Sequence, residues 1–200
     1  MTSGSKSSTN FNILDTVGQT AAGEYDSSGF KVKAGFPYIK TIIPFSFTIS
    51  NLSLDLGTLV PQTFSTTTNT LTISAGGAGG YSVTALENHQ LQLNNTATEI
   101  PDTTCDTSCS ETDADVWTNT DNYGFGYNMA GDDVPAAFVD STYFKQFADE
   151  SAAETAQVVM SSNSVVSSET ATVTYKANVS TTQAAGNYQN SIIFIATPGY

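Results

Sequence analysis

Apolar and polar residues alternate along most of this chain, the signature of strands that bury one face. In PFSFTIS, Phe45, Phe47 and Ile49 alternate with Ser46, Thr48 and Ser50. The same period of two predicts strands carrying Leu52, Leu54 and Leu56, then Leu71 with Ile73, then Tyr81, Val83 and Ala85. It recurs at Val173, Tyr175, Ala177 and Val179, with Thr172, Thr174, Lys176 and Asn178 expected to face out. The last run, NSIIFIATP, is apolar on both faces and is expected to be central or covered on both sides. Glycines mark turns between these runs, notably Gly76, Gly77, Gly79 and Gly80, and Gly186 before Tyr188. Helical signal is scarce and centres on Ser141 to Met160, where Phe144, Phe147, Ala148 and Ala152 fit a turn or two.

Many short alternating strands with little helix predict an all-β fold, an antiparallel β-sandwich or jelly roll. At most one or two short helical turns are expected. Residues 1–10 read as a flexible N-terminal arm. Residues 11–200 read as a single sandwich domain, with 11–36 a strand pair packed on it. TLTISAGGAGGYSVTA and TVTYKANVSTTQAAGNYQNSIIFIA share an order of strand, small-residue turn, Gly, Tyr and strand, which reads as a common hairpin grammar.

Charge narrows the partners. The chain has 19 acidic and 6 basic residues, all of the latter lysine, for a net charge of −13. That balance repels nucleic acid and anionic lipid. No apolar run is long enough for a membrane-spanning helix. The residues after Met1, TSGSKSSTN, do not read as a signal peptide; the chain is then either cytosolic or an exported segment whose signal has been removed, and the second is the expectation.

The stretch STNFNILDTVGQTAAGEYDSSGFKVKAGF resembles a pattern of bacterial surface proteins: S-x-N-aromatic, a strand, V-G-Q, an acidic-polar turn, G-aromatic, a second strand and G-F. It falls here on Ser8, Asn10, Phe11, Val17, Gly18, Gln19, Gly29, Phe30, Gly35 and Phe36. The rest of the chain resembles the secreted sandwich domains of bacterial cell-wall and spore-coat proteins. The resemblance implies export and a β-sandwich, and it brings no catalytic residue.

Cys105 and Cys109 lie in TTCDTSCSETDADVW, too far apart for the C-x-x-C of redox enzymes. Two cysteines and His89 are too few ligands for an ordinary zinc site. In an exported chain the pair is expected to form a disulfide, stiffening the loop by roughly 2 kcal/mol in the chain-entropy model. Twelve of the 19 acids fall between Glu99 and Glu150. In DADVWTNTDNYG, Asp113, Asp115, Asn119 and Asp121 have loosely loop-like spacing for calcium. The run fails as an EF-hand, because Trp117 holds the third ligand position and Gly124 the last. A non-standard calcium loop and a solvated acidic loop are the two readings. In YGFGY, Tyr123, Phe125 and Tyr127 share one strand face; with Trp117 they either stack on sugar rings or belong to the core. In the core reading Gly124 and Gly126 admit a close neighbour on the far face.

No nucleophile elbow or phosphate loop is present. The sequence therefore favours a non-enzymatic structural protein of a bacterial cell surface, with no cofactor unless the acidic loop takes calcium. The alternatives are an adhesin or carbohydrate-binding module, and a filament subunit assembling by strand donation from the N-terminal arm. Its expected partners are further copies of itself, other surface proteins or glycans.

Overall fold

The computed structural model describes residues 2–10, 12–17, 23–34, 43–94 and 96–199. The chain divides into two compact units, Met1–Ile42 and Ile43–Tyr200. In the first, β1 (Thr2–Ser7) pairs antiparallel with β2 (Asn12–Val17), and β3 (Gly23–Ser27) with β4 (Phe30–Ala34). Thr2–Ser7, read from its polarity as a flexible arm, is thus a strand: ladder bonds use the backbone, and a polar segment can supply them. Phe11, Gly18, Gln19, Gly35 and Phe36 of the surface-protein pattern lie outside the described residues.

The second unit contains β5 (Ser46–Ile49), β6 (Ser65–Ala75), β7 (Tyr81–Glu87), β8 (Leu91–Leu93), β9 (Glu99–Ile100) and β10 (Asp115–Val116). It continues with β11 (Gly124–Gly131), β12 (Tyr143–Phe144), β13 (Gln157–Ser162), β14 (Val166–Asn178), β15 (Tyr188–Gln189) and β16 (Ile192–Pro198). One sheet has the order β11-β14-β6-β5 and another β13-β7-β16, with the small sheets β15-β8-β9 and β10-β12 beside them. All pairings within these sheets are antiparallel. The fold is all-β, a sandwich, and no helix occurs among the described residues.

The alternation in the sequence accounts for the core. Leu71 and Ile73 of β6, Val83 and Ala85 of β7, and Val173, Tyr175 and Ala177 of β14 are buried together. β6 and β7 lie in different sheets, as do β14 and β16, so the two similar segments are crossovers rather than hairpins.

Three local expectations give way. Leu52, Leu54 and Leu56 form no strand, and Leu52 is 86% exposed. Asn51 and Asp55 accept the amides of Ser53 (3.1 Å) and Gly57 (2.7 Å), and these side-chain turns replace the ladder. Ser141–Met160 is not helical: Asp140 and Asp149 capture the amides of Thr142 and Ser151, both at 2.7 Å, while Lys145 bridges to Tyr127. β16 is an edge strand, with Ile193 and Ile195 39% and 49% exposed, where a central or doubly covered strand was expected.

From Gly124 to Met129, β11 is buried on both faces. Phe125, Tyr127 and Met129 enter the core, and a Cβ on Gly124 would lie 2.7 Å from Thr103 Cα. One on Gly126 would lie 2.9 Å from the Lys145 carbonyl. The glycines thus admit close neighbours, as the core reading required.

Candidate functional site

Cys105 and Cys109 form a disulfide, with sulfurs 1.95 Å apart and Cα atoms 5.5 Å apart. The loop they cinch is a plug. Both cysteines are buried with Trp117 and Phe144, and Phe64 packs on the cluster. Trp117 meets Phe64 and Phe144 edge-on, at centroid distances of 5.2 and 5.7 Å, and its Nε1 donates to the Asn122 carbonyl at 3.0 Å. Asp106 accepts the amides of Thr118 (2.8 Å) and Asn119 (2.9 Å), closing the loop on itself.

The plug covers the Lys176–Asn178 end of the β14 face that the alternation assigned to solvent, while Thr172 stays exposed. Lys176 is buried, donates to the Trp117 carbonyl, and holds its ammonium 3.7 Å from the Phe64 centroid, 4.3 Å from Phe144 and 4.9 Å from Trp117. Burial lowers its pKa to about 8, against the opposing charge of Asp106. Asn178, also buried, donates to the carbonyls of Thr120 (2.7 Å) and Asn122 (3.2 Å).

The sugar-stacking row is not presented to solvent. Trp117, Phe125 and Tyr127 are buried, because covering segments meet both faces of β11 and the plug encloses the indole. Tyr123 alone is exposed, at 45%, beside a cavity of about 250 Å3 that Asp102, Asp121 and Asn122 also line. The four residues grouped for calcium all accept hydrogen bonds. Asp113 accepts from Thr112 (2.8 Å), Asp115 from the amides of Ser108 (3.0 Å) and Val116 (2.7 Å), and Asp121 from Gln62 (2.9 Å). Asn119 accepts the Asp121 amide at 3.0 Å. The Ser108 and Val116 amides hold the Asp115 carboxyl below its ordinary pKa. Among the described residues no three Asp, Glu, His or Cys side chains form a metal-sized cluster.

A cavity of about 880 Å3 opens where the loop after β5 faces the segment joining β14 to β16. Its apolar lining includes Ile49, Ile100, Phe125 and Phe194, and its polar lining Asn51, Asn69, Gln183 and Asn187. Asp55 is the one charged side chain among the lining residues. Tyr188 is held in place by Gln183 Nε2, which donates to its hydroxyl at 2.7 Å, while the hydroxyl donates to the Ala184 carbonyl at 2.8 Å. Asn69 donates to the Asn51 carbonyl at 3.3 Å and accepts from the Tyr175 hydroxyl at 3.4 Å. The cleft thus combines fixed amides and hydroxyls with the half-buried rings of Tyr188 and Phe194, and carries one negative charge.

One wall of the cleft is tied to a buried acid. Asn190 Nδ2 donates to Glu87 Oε2 at 2.6 Å, the Ser191 amide donates to Asn88 Oδ1 at 2.8 Å, and the Asn88 amide donates to the Ser191 carbonyl at 3.0 Å. Glu87 has no exposed surface and lies within hydrogen-bonding range of Asp102. Burial raises the pKa of Glu87 far above the carboxylate range, with the charge of Asp102 adding to it; burial also raises that of Asp102.

Both sites carried a signal in the sequence. Asn69 falls in phase with Leu71 and Ile73, and Glu87 in phase with Val83 and Ala85, each a polar residue on an otherwise buried face. Comparison with family models, curated proteins and solved structures yields no match.

Proposed function

We propose that this chain is a non-enzymatic, extracellular surface module of a bacterial envelope that recognises a neutral glycan in the 880 Å3 cleft. The observation that carries the reading is the lining: amides, hydroxyls and aromatic rings with a single charged side chain. Sugars present hydroxyl groups and flat apolar ring faces, and such a lining matches both. The disulfide and the resemblance to bacterial surface proteins support export. Isothermal titration with neutral oligosaccharides tests the reading, and Tyr188→Ala should weaken binding by about tenfold or more. Binding that prefers an apolar dye, or that Tyr188→Ala leaves intact, defeats it.

Self-assembly is a second reading, favoured by β16. Its seven residues carry no charge, and its outer edge is unpaired among the described residues. Donation of Thr2–Ser7 to a neighbour would first break its pairing with β2, so pairing of β16 with a second copy is the simpler route. Ile195→Lys should then abolish any oligomer seen by light scattering. A wild-type chain that stays monomeric at high concentration removes this reading.

A further inference from the structure

Fully buried Glu87 and half-buried Asp102 meet without a donor between them. Neither Glu87 Oε1 nor Asp102 Oδ1 has a partner among the N–H and O–H donors of the described residues, and both atoms are buried. Their outer oxygens are occupied: Asn190 donates to Glu87 at 2.6 Å and Gln90 donates to Asp102 at 3.3 Å. Asp149 bears on both groups and Glu154 on Asp102, and each adds negative charge. His89, close in sequence, turns its Nδ1 to the Gln90 carbonyl at 2.6 Å. Two facing carboxylates cannot both ionise in such a place, so one proton must lie between them.

We propose that the Glu87–Asp102 pair is a proton-dependent latch on the cleft wall, closed while it holds its shared proton and loosened when the proton leaves. Loss of the proton leaves two facing carboxylates, whose repulsion opposes the stronger bond that ionised Glu87 accepts from Asn190 and loosens the segment that carries Asn187 and Tyr188. Ligand binding is therefore strongest in acid and weakens in alkali. The part concerning ligand rests on the glycan reading; the latch itself does not. A carboxyl that keeps its proton in the fold, and loses it unfolded, makes the folded state bind more protons. The contribution is full below the ordinary carboxylate range and is lost as pH climbs through the raised value. This agrees with the burial-driven rise at both groups.

The test is amide hydrogen exchange of the full chain at about pH 5 and about pH 9, corrected for intrinsic base catalysis, with β14 amides as the internal reference. In the wild type the Ser191 region should lose protection about tenfold relative to β14 as the solution becomes alkaline. Glu87→Gln keeps the shape, accepts from Asn190 and supplies an N–H to Asp102, so its profile should be flat; Asp102→Asn should flatten it too. A flat wild-type profile, or variants that keep the wild-type slope, overturns the latch. Calorimetry with neutral oligosaccharides at the same two pH values separates the readings. If the wall responds to pH but no oligosaccharide binds, the latch stands and the glycan reading falls.

Discussion

Trp117→Ala should destabilise the second unit by about 3–5 kcal/mol, the range for removing a large aromatic side chain from a core. Trp117 has no exposed surface and meets Phe64 and Phe144 edge-on, so the truncation removes both ring contacts and the bond from Nε1 to Asn122. The void would open beside Lys176, whose ammonium lies 4.9 Å from the lost ring. Water reaching that amine should return its pKa from about 8 towards 10.5. Denaturant unfolding measures the stability, and amine labelling followed by mass spectrometry measures the lysine. A cost below about 1 kcal/mol would mean that Trp117 is not a core residue at all. Trp117 is the single tryptophan, so the wild-type emission should also be blue-shifted and should redden on unfolding.

Gly124→Ala should cost about 3 kcal/mol or more, from backbone strain together with overpacking. Gly124 has φ +148°, a region that residues with a Cβ rarely occupy. The new Cβ would also lie 2.7 Å from both Thr103 Cα and Thr103 N, and these are backbone atoms that cannot swing aside. Relief would require the segment at Asp102 and Thr103 to move away from β11, breaking the bond from the Thr103 amide to the Phe125 carbonyl at 2.8 Å. That same segment carries Asp102, so the exchange profile of the latch should change along with the stability. Gly23→Ala is the control: its nearest neighbours would stand 3.4 Å away, an ordinary contact. Equal unfolding midpoints for Gly124→Ala and the wild type would show that the close approach is absent.

Alternation along the chain was enough to fix the faces of the main strands. Leu71 with Ile73, Val83 with Ala85, and Val173 with Tyr175 all point into the core, because a period of two leaves a strand little choice of register. The all-β class was legible too, through scarce helical pattern and many glycine-marked turns. The disulfide followed from two nearby cysteines and an expected oxidising compartment.

The fate of the opposite faces depends on long-range packing. Lys176 and Asn178 alternate as solvent residues do, yet a plug contributed from 59 residues away in sequence covers Lys176. Alternation reports the polarity of each side chain, whereas burial depends on which remote segment lands there. The same plug buries Trp117, and the segments on either side of β11 bury Phe125 and Tyr127, leaving Tyr123 exposed. The cleft and the latch depend on such distant meetings too, Asn190 reaching Glu87 across 103 residues. Asn69 and Glu87 showed in the sequence as polar residues on buried faces. Their partners did not, because a hydrogen bond between remote segments leaves no mark on local periodicity.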